Sequence, residues 1–221
     1  GTQWVQMGGG GAGWGLTGNA GTIQGTNYLG TSDAVPLVIR TDGQPRLRIT
    51  THGQIETLNT GESVFLGEGA GVNDDLSTNE NVFIGRSAGN QNVSGVGNTA
   101  IGAYSLQSSS TASQNTAIGH YTLSTNLSGS GNTAIGALSM IYNESGGANT
   151  AIGHQSLSNN ISGIYNTAIG FFSLTSNTIG NYNTAIGAKS LEMNTTGAGN
   201  TSVGENSLEY NTQGSSNTSI G

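Results

Sequence analysis

Few side chains in this sequence can do acid–base or metal chemistry, and their spacing keeps them apart. Cysteine is absent, which excludes disulfides and thiolate metal sites. The three histidines are His52, His120 and His154. The last two hold equivalent places two sequence repeats apart, hence ~10 Å apart in a stack of coils, too far to share one metal within a chain. Three copies of one histidine around a symmetry axis could ligate; a surface histidine is the simpler expectation. Between Ser87 and Ala188 the only charged residue is Glu144, so acid–base pairs are missing there. Asp74-Asp75 could invite calcium, but the regularly placed Asp of calcium-binding repeats is absent, and the doublet reads as a loop. A polysaccharide-processing enzyme would need paired carboxylates. No catalytic residue, metal or cofactor is expected, and the chain is not read as an enzyme.

Aromatic residues are better candidates for recognition, because they can stack on sugar rings or anchor a protein partner. Tyr104 and Tyr121 fall on successive repeats in one column, and Phe172 shares that column with Phe171 beside it. Tyr165 and Tyr182 share another variable column, and Tyr142 lies near a bend. These seven form the candidate ligand-contacting set. The alternative is packing between chains, or scattered surface residues.

The element that must carry them is a repeat. Asn-Thr-Ala-Ile-Gly returns every 17 residues, ending at Gly102, Gly119, Gly136, Gly153, Gly170 and Gly187. Degenerate copies end at Gly204 and Gly221, and altered copies at Gly67 and Gly85 precede them. A fixed short period means stacked coils. The consensus is N-T-A-I-G-x-x-S-L-x-x-N-x-x-G-x-x, numbered here as positions 1–17. Seventeen residues are too few for two helices, and the Asn, Thr and Gly content opposes helix. Each coil has room for two short strands and two bends. The Asn/Gly pairs, such as Asn126/Gly129 and Asn143/Gly146, are assigned to bends through their tolerance of left-handed backbone. Coils ~4.8 Å apart make a rod of roughly 43 Å from Gly67 to Gly221.

Stacking sets like on like. Asn98, Asn115, Asn132 and their successors form an amide ladder. In the two early coils Ala becomes Phe (Phe65, Phe83), and Leu becomes Gly (Gly71, Gly89). A large residue appears where a large one disappears, so both columns fill one interior. Neighbours on a strand point to opposite faces, so Ile101 faces outward if Ala100 faces in. Ile101, Ile118, Ile135, Ile152, Ile169 and Ile186 then form an exposed apolar stripe, which soluble monomers avoid. The economical cover is the same stripe of another copy, and these six are the candidate oligomer interface. If local twist turned both residues inward, that argument would lapse.

The rest of the chain has a different texture. Residues 1–33 read as a Gly-rich lead or collar, with the run Gly8–Gly11 and with Trp4 and Trp14 as anchors. Residues 34–60 read as a short β-meander neck: strand 37–41, turn Asp42-Gly43, strand 46–50, turn His52-Gly53, then Gln54–Leu58. Arg40, Arg46 and Arg48 cluster there and read as a solvated strand face rather than an anion site. Residues 61–221 are the solenoid. The chain opens without Met and stops on a repeat boundary, so it is read as a piece of a longer or processed chain. Sequons such as Asn126-Leu127-Ser128 follow from the repeat and say little about glycosylation.

Asn-Thr-Ala-Ile-Gly-x-x-Ser resembles the head repeat of YadA-like trimeric adhesins, roughly N-S-V-A-I-G-x-x-S. That family repeats at about 14 residues, and the extra residues here fall in the Asn-x-x-Gly bend. The chain also looks similar, over about residues 14–221, to repetitive fibre proteins of Bacteroidetes-type bacteria and to phage-type tail fibres. There, segments like Asn27-Tyr28-Leu29-Gly30-Thr31-Ser32-Asp33 and Pro36-Leu37-Val38-Ile39 precede the repeats. The resemblance implies an all-β, left-handed parallel β-roll or β-solenoid, an intertwined or side-by-side homotrimer, and an extracellular or cell-surface setting.

The functional expectation is a structural and adhesive fibre that reaches a surface glycan or protein. A tail fibre of a phage or contractile injection machine is one alternative. An ice-binding solenoid is another, since Thr99, Thr116, Thr133, Thr150, Thr167 and Thr184 form a hydroxyl column, though one Thr wide and expected to be buried beside Ile101. Net charge is −7 with no basic run, which argues against nucleic acid. No segment is apolar enough for membrane insertion.

Overall fold

The computed structural model describes residues 30–58 and 60–221. Trp4, Trp14 and the run Gly8–Gly11 lie outside the described residues. The chain divides into two compact units, Gly1–Glu56 and Thr57–Gly221.

In the first unit β1 (Leu37–Thr41) pairs antiparallel with β2 (Gln44–Ile49); β3 (Ile55–Thr57), which ends at the unit boundary, follows β2 in the sheet. The hairpin turns on Asp42 and Gly43, at φ 51° and 69°. Positive φ at both central residues matches the right-handed twist of the flanking strands, which is why Asp-Gly is favoured there. A register shift between Ile39 and Arg40 marks a bulge. The Thr50–Gln54 turn closes through Gly53 N–H to the Thr50 carbonyl.

The repeats build one ten-stranded parallel sheet in which the strands follow sequence order. Its strands are β4 (Val64–Leu66), β5 (Val82–Ile84), β6 (Thr99–Ile101), β7 (Thr116–Ile118), β8 (Thr133–Ile135), β9 (Thr150–Ile152), β10 (Thr167–Ile169), β11 (Thr184–Ile186), β12 (Thr201–Val203) and β13 (Thr218–Ile220). Each strand lies in register on the last, and from β6 to β11 Thr stacks on Thr, Ala on Ala and Ile on Ile. This is a parallel β-solenoid of 17-residue coils.

Each coil contributes one strand, not the expected two. The Ser-Leu flank is a run of turns in which positions 7 and 9 take positive φ: Tyr104 59°, Leu106 50°, Tyr121 55°, Leu123 51°. Such φ costs roughly 1–2 kcal/mol per non-Gly residue. It is sustained because the twisted backbone still bonds to both neighbours. Position 7 donates to the preceding coil (Tyr104 N–H to Arg86 O), and position 9 to the following one (Leu106 N–H to Thr122 O). The hydrogen-bond ladder therefore turns the corner without a second strand.

The interior is thin. Ala100, Ala117, Ala134, Ala151, Ala168 and Ala185 are fully buried, and so are Leu106, Leu123, Met140, Leu157, Leu174 and Leu191. The Phe/Gly exchange of the early coils is physical. A Cβ on Gly71 would lie 2.6 Å from the Phe65 ring, and one on Gly89 2.5 Å from the Phe83 ring. Each phenyl fills the volume that Leu fills elsewhere, and the two rings stack at 5.5 Å.

Polar columns complete the core. The position-1 Asn side chains are buried, and each oxygen accepts from the next coil. Asn98 Oδ1 takes both the Asn115 backbone N–H at 3.0 Å and its Nδ2 at 3.2 Å. The same bonds recur at Asn149, Asn166, Asn183 and Asn200. Position 12 builds a second ladder: Asn143, Asn160, Asn177 and Asn194 each donate Nδ2 to the Asn one coil earlier. The chain bends between this Asn and the following Gly, as expected, but neither residue takes left-handed backbone. The Asn is buried to bond the carbonyl three residues on, as Asn126 Nδ2 does to Gly129 O at 2.8 Å. The Gly is needed for space, since a Cβ on Gly129 would meet Gly146 O at 2.2 Å and Asn126 Oδ1 at 2.5 Å.

One coil departs from this ladder. Ser109 replaces the Asn and Ala112 the Gly. The shorter Ser leaves room for the Ala methyl, and both residues are buried. The ladder breaks there, and Asn92 Oδ1 and Ser109 Oγ have no partner. Restoring it requires both changes. Ser109→Asn alone should destabilise, because its oxygen meets the Ala112 methyl. Ser109→Asn with Ala112→Gly should gain about 1 kcal/mol over wild type. A denaturation double-mutant cycle measures this.

The position-5 glycines answer a different need. Gly136 sits at φ 124°, and a Cβ there would stand 2.6 Å from Gly153 O. Gly131 sits at φ 71°, with nothing nearer than 3.8 Å. Gly136→Ala should cost about 3 kcal/mol or more, and Gly131→Ala only about 1 kcal/mol, in the urea midpoint.

Candidate functional site

The outward face of β4–β13 carries the candidate association residues. Ile101, Ile118, Ile135, Ile152, Ile169 and Ile186 all point away from the interior, alternating with the fully buried Ala. Side chains stacked above and below cover part of each, yet Ile152 and Ile186 remain 37 % and 38 % exposed. Leu66, Ile84, Val203 and Ile220 continue the column, so an apolar stripe runs unbroken over ten strands. The Thr column stands beside it, two residues away on the same face. It is half-exposed from Thr99 to Thr201 in the single chain.

The seven aromatic candidates do not form one site. Tyr104 and Tyr121 stack at 4.7 Å and 10° between planes, with His120 edge-on at 4.4 Å from Tyr121. The Arg86 guanidinium lies 5.6 Å from the Tyr104 ring. A second group gathers His154, Phe171 and Phe172, with Phe171 stacked on His154 at 5.6 Å and Phe172 edge-on to Phe171 at 4.2 Å. Tyr165 and Tyr182 make a third, stacked at 5.3 Å and 8°. Tyr142 is exposed and belongs to none of these groups. The two histidines are thus partners of aromatic rings. Residue spacing identified the columns; Arg86 and the histidines as their partners were missed, because variable positions carry no periodic signal.

The arginines of the first unit are engaged locally. Arg40 donates to Gly43 O, Arg46 to Thr41 Oγ1, and Arg48 pairs with Glu56 at 2.5 Å. Among the described residues no group of three His, Asp or Glu side chains could hold a metal ion. No described helix is long and apolar enough to cross a membrane.

Asp74 lies in a loop, as expected, but is packed there rather than free. It occupies position 12 of the first coil, 8 % exposed. Its Oδ2 accepts Nδ2 of Asn81 at 3.3 Å and of Asn92 at 3.1 Å, the first members of the two amide ladders. Oδ1 accepts the Leu76 N–H at 2.8 Å and Asn79 Nδ2 at 3.1 Å. Both ladders donate toward the first coil, so their end needs a group that only accepts, and a carboxylate is that group. Next to it, Ser77, through its hydroxyl and then its backbone N–H, together with Asn79 holds the exposed Asp75 carboxyl below the usual carboxylate range.

Comparison of the chain with protein-family models, curated proteins and solved structures finds no match. The reading of the site therefore rests on its geometry.

Asp74→Asn would aim an NH2 at two incoming N–H donors. It should cost about 1–3 kcal/mol, read as a lower thermal midpoint with unchanged far-ultraviolet circular dichroism.

Proposed function

We propose that this chain forms the shaft or head of a homotrimeric extracellular fibre that attaches to a surface or target cell. The observation that carries the reading is the apolar stripe of Ile101 to Ile186 on the outward face of a regular parallel sheet. Contiguous apolar surface of this kind marks an association site in soluble proteins. The stripe is in register from strand to strand, as is a second copy of itself, so a rotation axis parallel to the stack would bring stripes together. A solenoid also separates its ends at little cost in sequence, which suits a spacer or fibre. The resemblance of Asn-Thr-Ala-Ile-Gly-x-x-Ser to trimeric adhesin heads supports the same stoichiometry. A tail fibre of a phage or injection machine would use the same construction.

The half-exposed Thr column favours one other reading, an ice-binding face, because in-register hydroxyls order water. That reading needs the face uncovered. The two separate on solution mass. Multi-angle light scattering should give a trimer, and Ile135→Glu with Ile152→Glu should give a folded monomer, since neither side chain enters the coil interior. A wild-type monomer would overturn the fibre reading and make thermal hysteresis the next measurement.

A further inference from the structure

The two exterior tyrosine stacks end differently. Tyr104 and Tyr121 are half-buried, and their ends are occupied: Arg86 lies 5.6 Å over the Tyr104 ring, and Leu138 holds the same column in the coil after Tyr121. Tyr165 and Tyr182 are 56 % and 61 % exposed. Their column is occupied by Ala148 in the coil before and by Gly199 in the coil after. A Cβ on Gly199 would meet nothing nearer than Ser216 Oγ, at 3.7 Å. Stacked rings face each other along the coil axis, so the free face of Tyr182 looks across the Gly199 position. The ring ladder has a vacant rung there, one coil deep and bounded by the Ser216 hydroxyl.

We propose that this rung binds a neutral pyranose, stacked on Tyr182 as Tyr182 is stacked on Tyr165. The flat ring matches the C–H face of a sugar, which is apolar, while the sugar hydroxyls point to its rim. A hydroxyl partner stands nearby on Ser216, whose Oγ lies 3.7 Å from the place a Gly199 Cβ would take. Positions 16, 17 and 2 carry no charged residue from Val82 to Thr218, so a phosphate or carboxylate ligand would find no countercharge. A net charge of −7 also disfavours anions. The Tyr104 stack lacks this property because its upper face already holds a cation. This inference rests on the attachment reading for its biological role and names the ligand class; the site itself rests on ring geometry.

Saturation-transfer difference NMR on the whole chain, with lactose and maltotriose as probes, tests it. Saturation should reach the ring protons of one face of a terminal pyranose. Gly199→Tyr fills the rung. Tyrosine already holds this position at φ 57° and 56° in the two preceding coils, so the variant keeps the backbone and lengthens the ladder. It should reduce the transfer at least tenfold, and Tyr182→Ala should do the same, both with wild-type circular dichroism. No transfer from either sugar to wild type, or undiminished transfer in Gly199→Tyr, overturns the site. Light scattering on the same samples reads the fibre proposal separately: a trimer without sugar saturation removes the site and leaves the fibre standing.

Discussion

The position-5 glycines let one coil lie directly on the next. At Gly102, Gly119, Gly136, Gly153, Gly170 and Gly187 the place a Cβ would take comes within 2.4–2.8 Å of atoms in the following coil. Any side chain there would wedge the stack open. With the backbones in contact, each three-residue strand finds its parallel partner in register, and equivalent side chains fall on one another. The Ala, Leu and Asn columns, the Ile stripe and the stacked rings all follow from that spacing.

Close stacking also explains how so small a coil can fold. Two apolar columns per coil make a thin core, and much of the buried surface is amide and hydroxyl. Buried polar groups are tolerable only when bonded. The repeat meets most of that demand through direction: the position-1 Asn oxygens from Asn81 to Asn200 accept from the coil after them, and Asn143, Asn160, Asn177 and Asn194 donate their amides to the coil before. A directional ladder has two unlike ends. At the first coil Asp74 supplies acceptors without donors. At Ser109 the ladder is interrupted and two buried polar atoms go unbonded.

Function, on this reading, lies on the surfaces that the stacking generates. The outward stripe arises because a strand must alternate, so burying Ala displays Ile. The aromatic groups arise because variable positions in neighbouring coils are brought face to face. Whether a ring is closed off or open depends on what the neighbouring coil carries there: an arginine or a leucine in one case, a glycine in another.

The 17-residue period, the strand at Thr-Ala-Ile, the single interior shared by Ala and Leu, and the outward Ile were all legible in the sequence. Periodicity reports which residues stack, and the Phe65/Gly71 and Phe83/Gly89 exchanges report which share a volume. The Asp42-Gly43 hairpin was legible too, because its positive φ is written in residue type. The Ser109/Ala112 pair held the same kind of signal and would have tied position 12 to position 15. Three things were decided by tertiary structure. Leu106 and its equivalents adopt positive φ against their own preference, because bonds to two neighbouring coils outweigh local strain. The chain bends beside the position-12 Asn without left-handed backbone there, because its amide turns inward to bond within the stack. In its loop Asp74 is packed inward, because only the assembled stack brings the ends of two amide ladders to one carboxylate. Local sequence cannot report such bonds, since the groups that make them lie a whole coil apart.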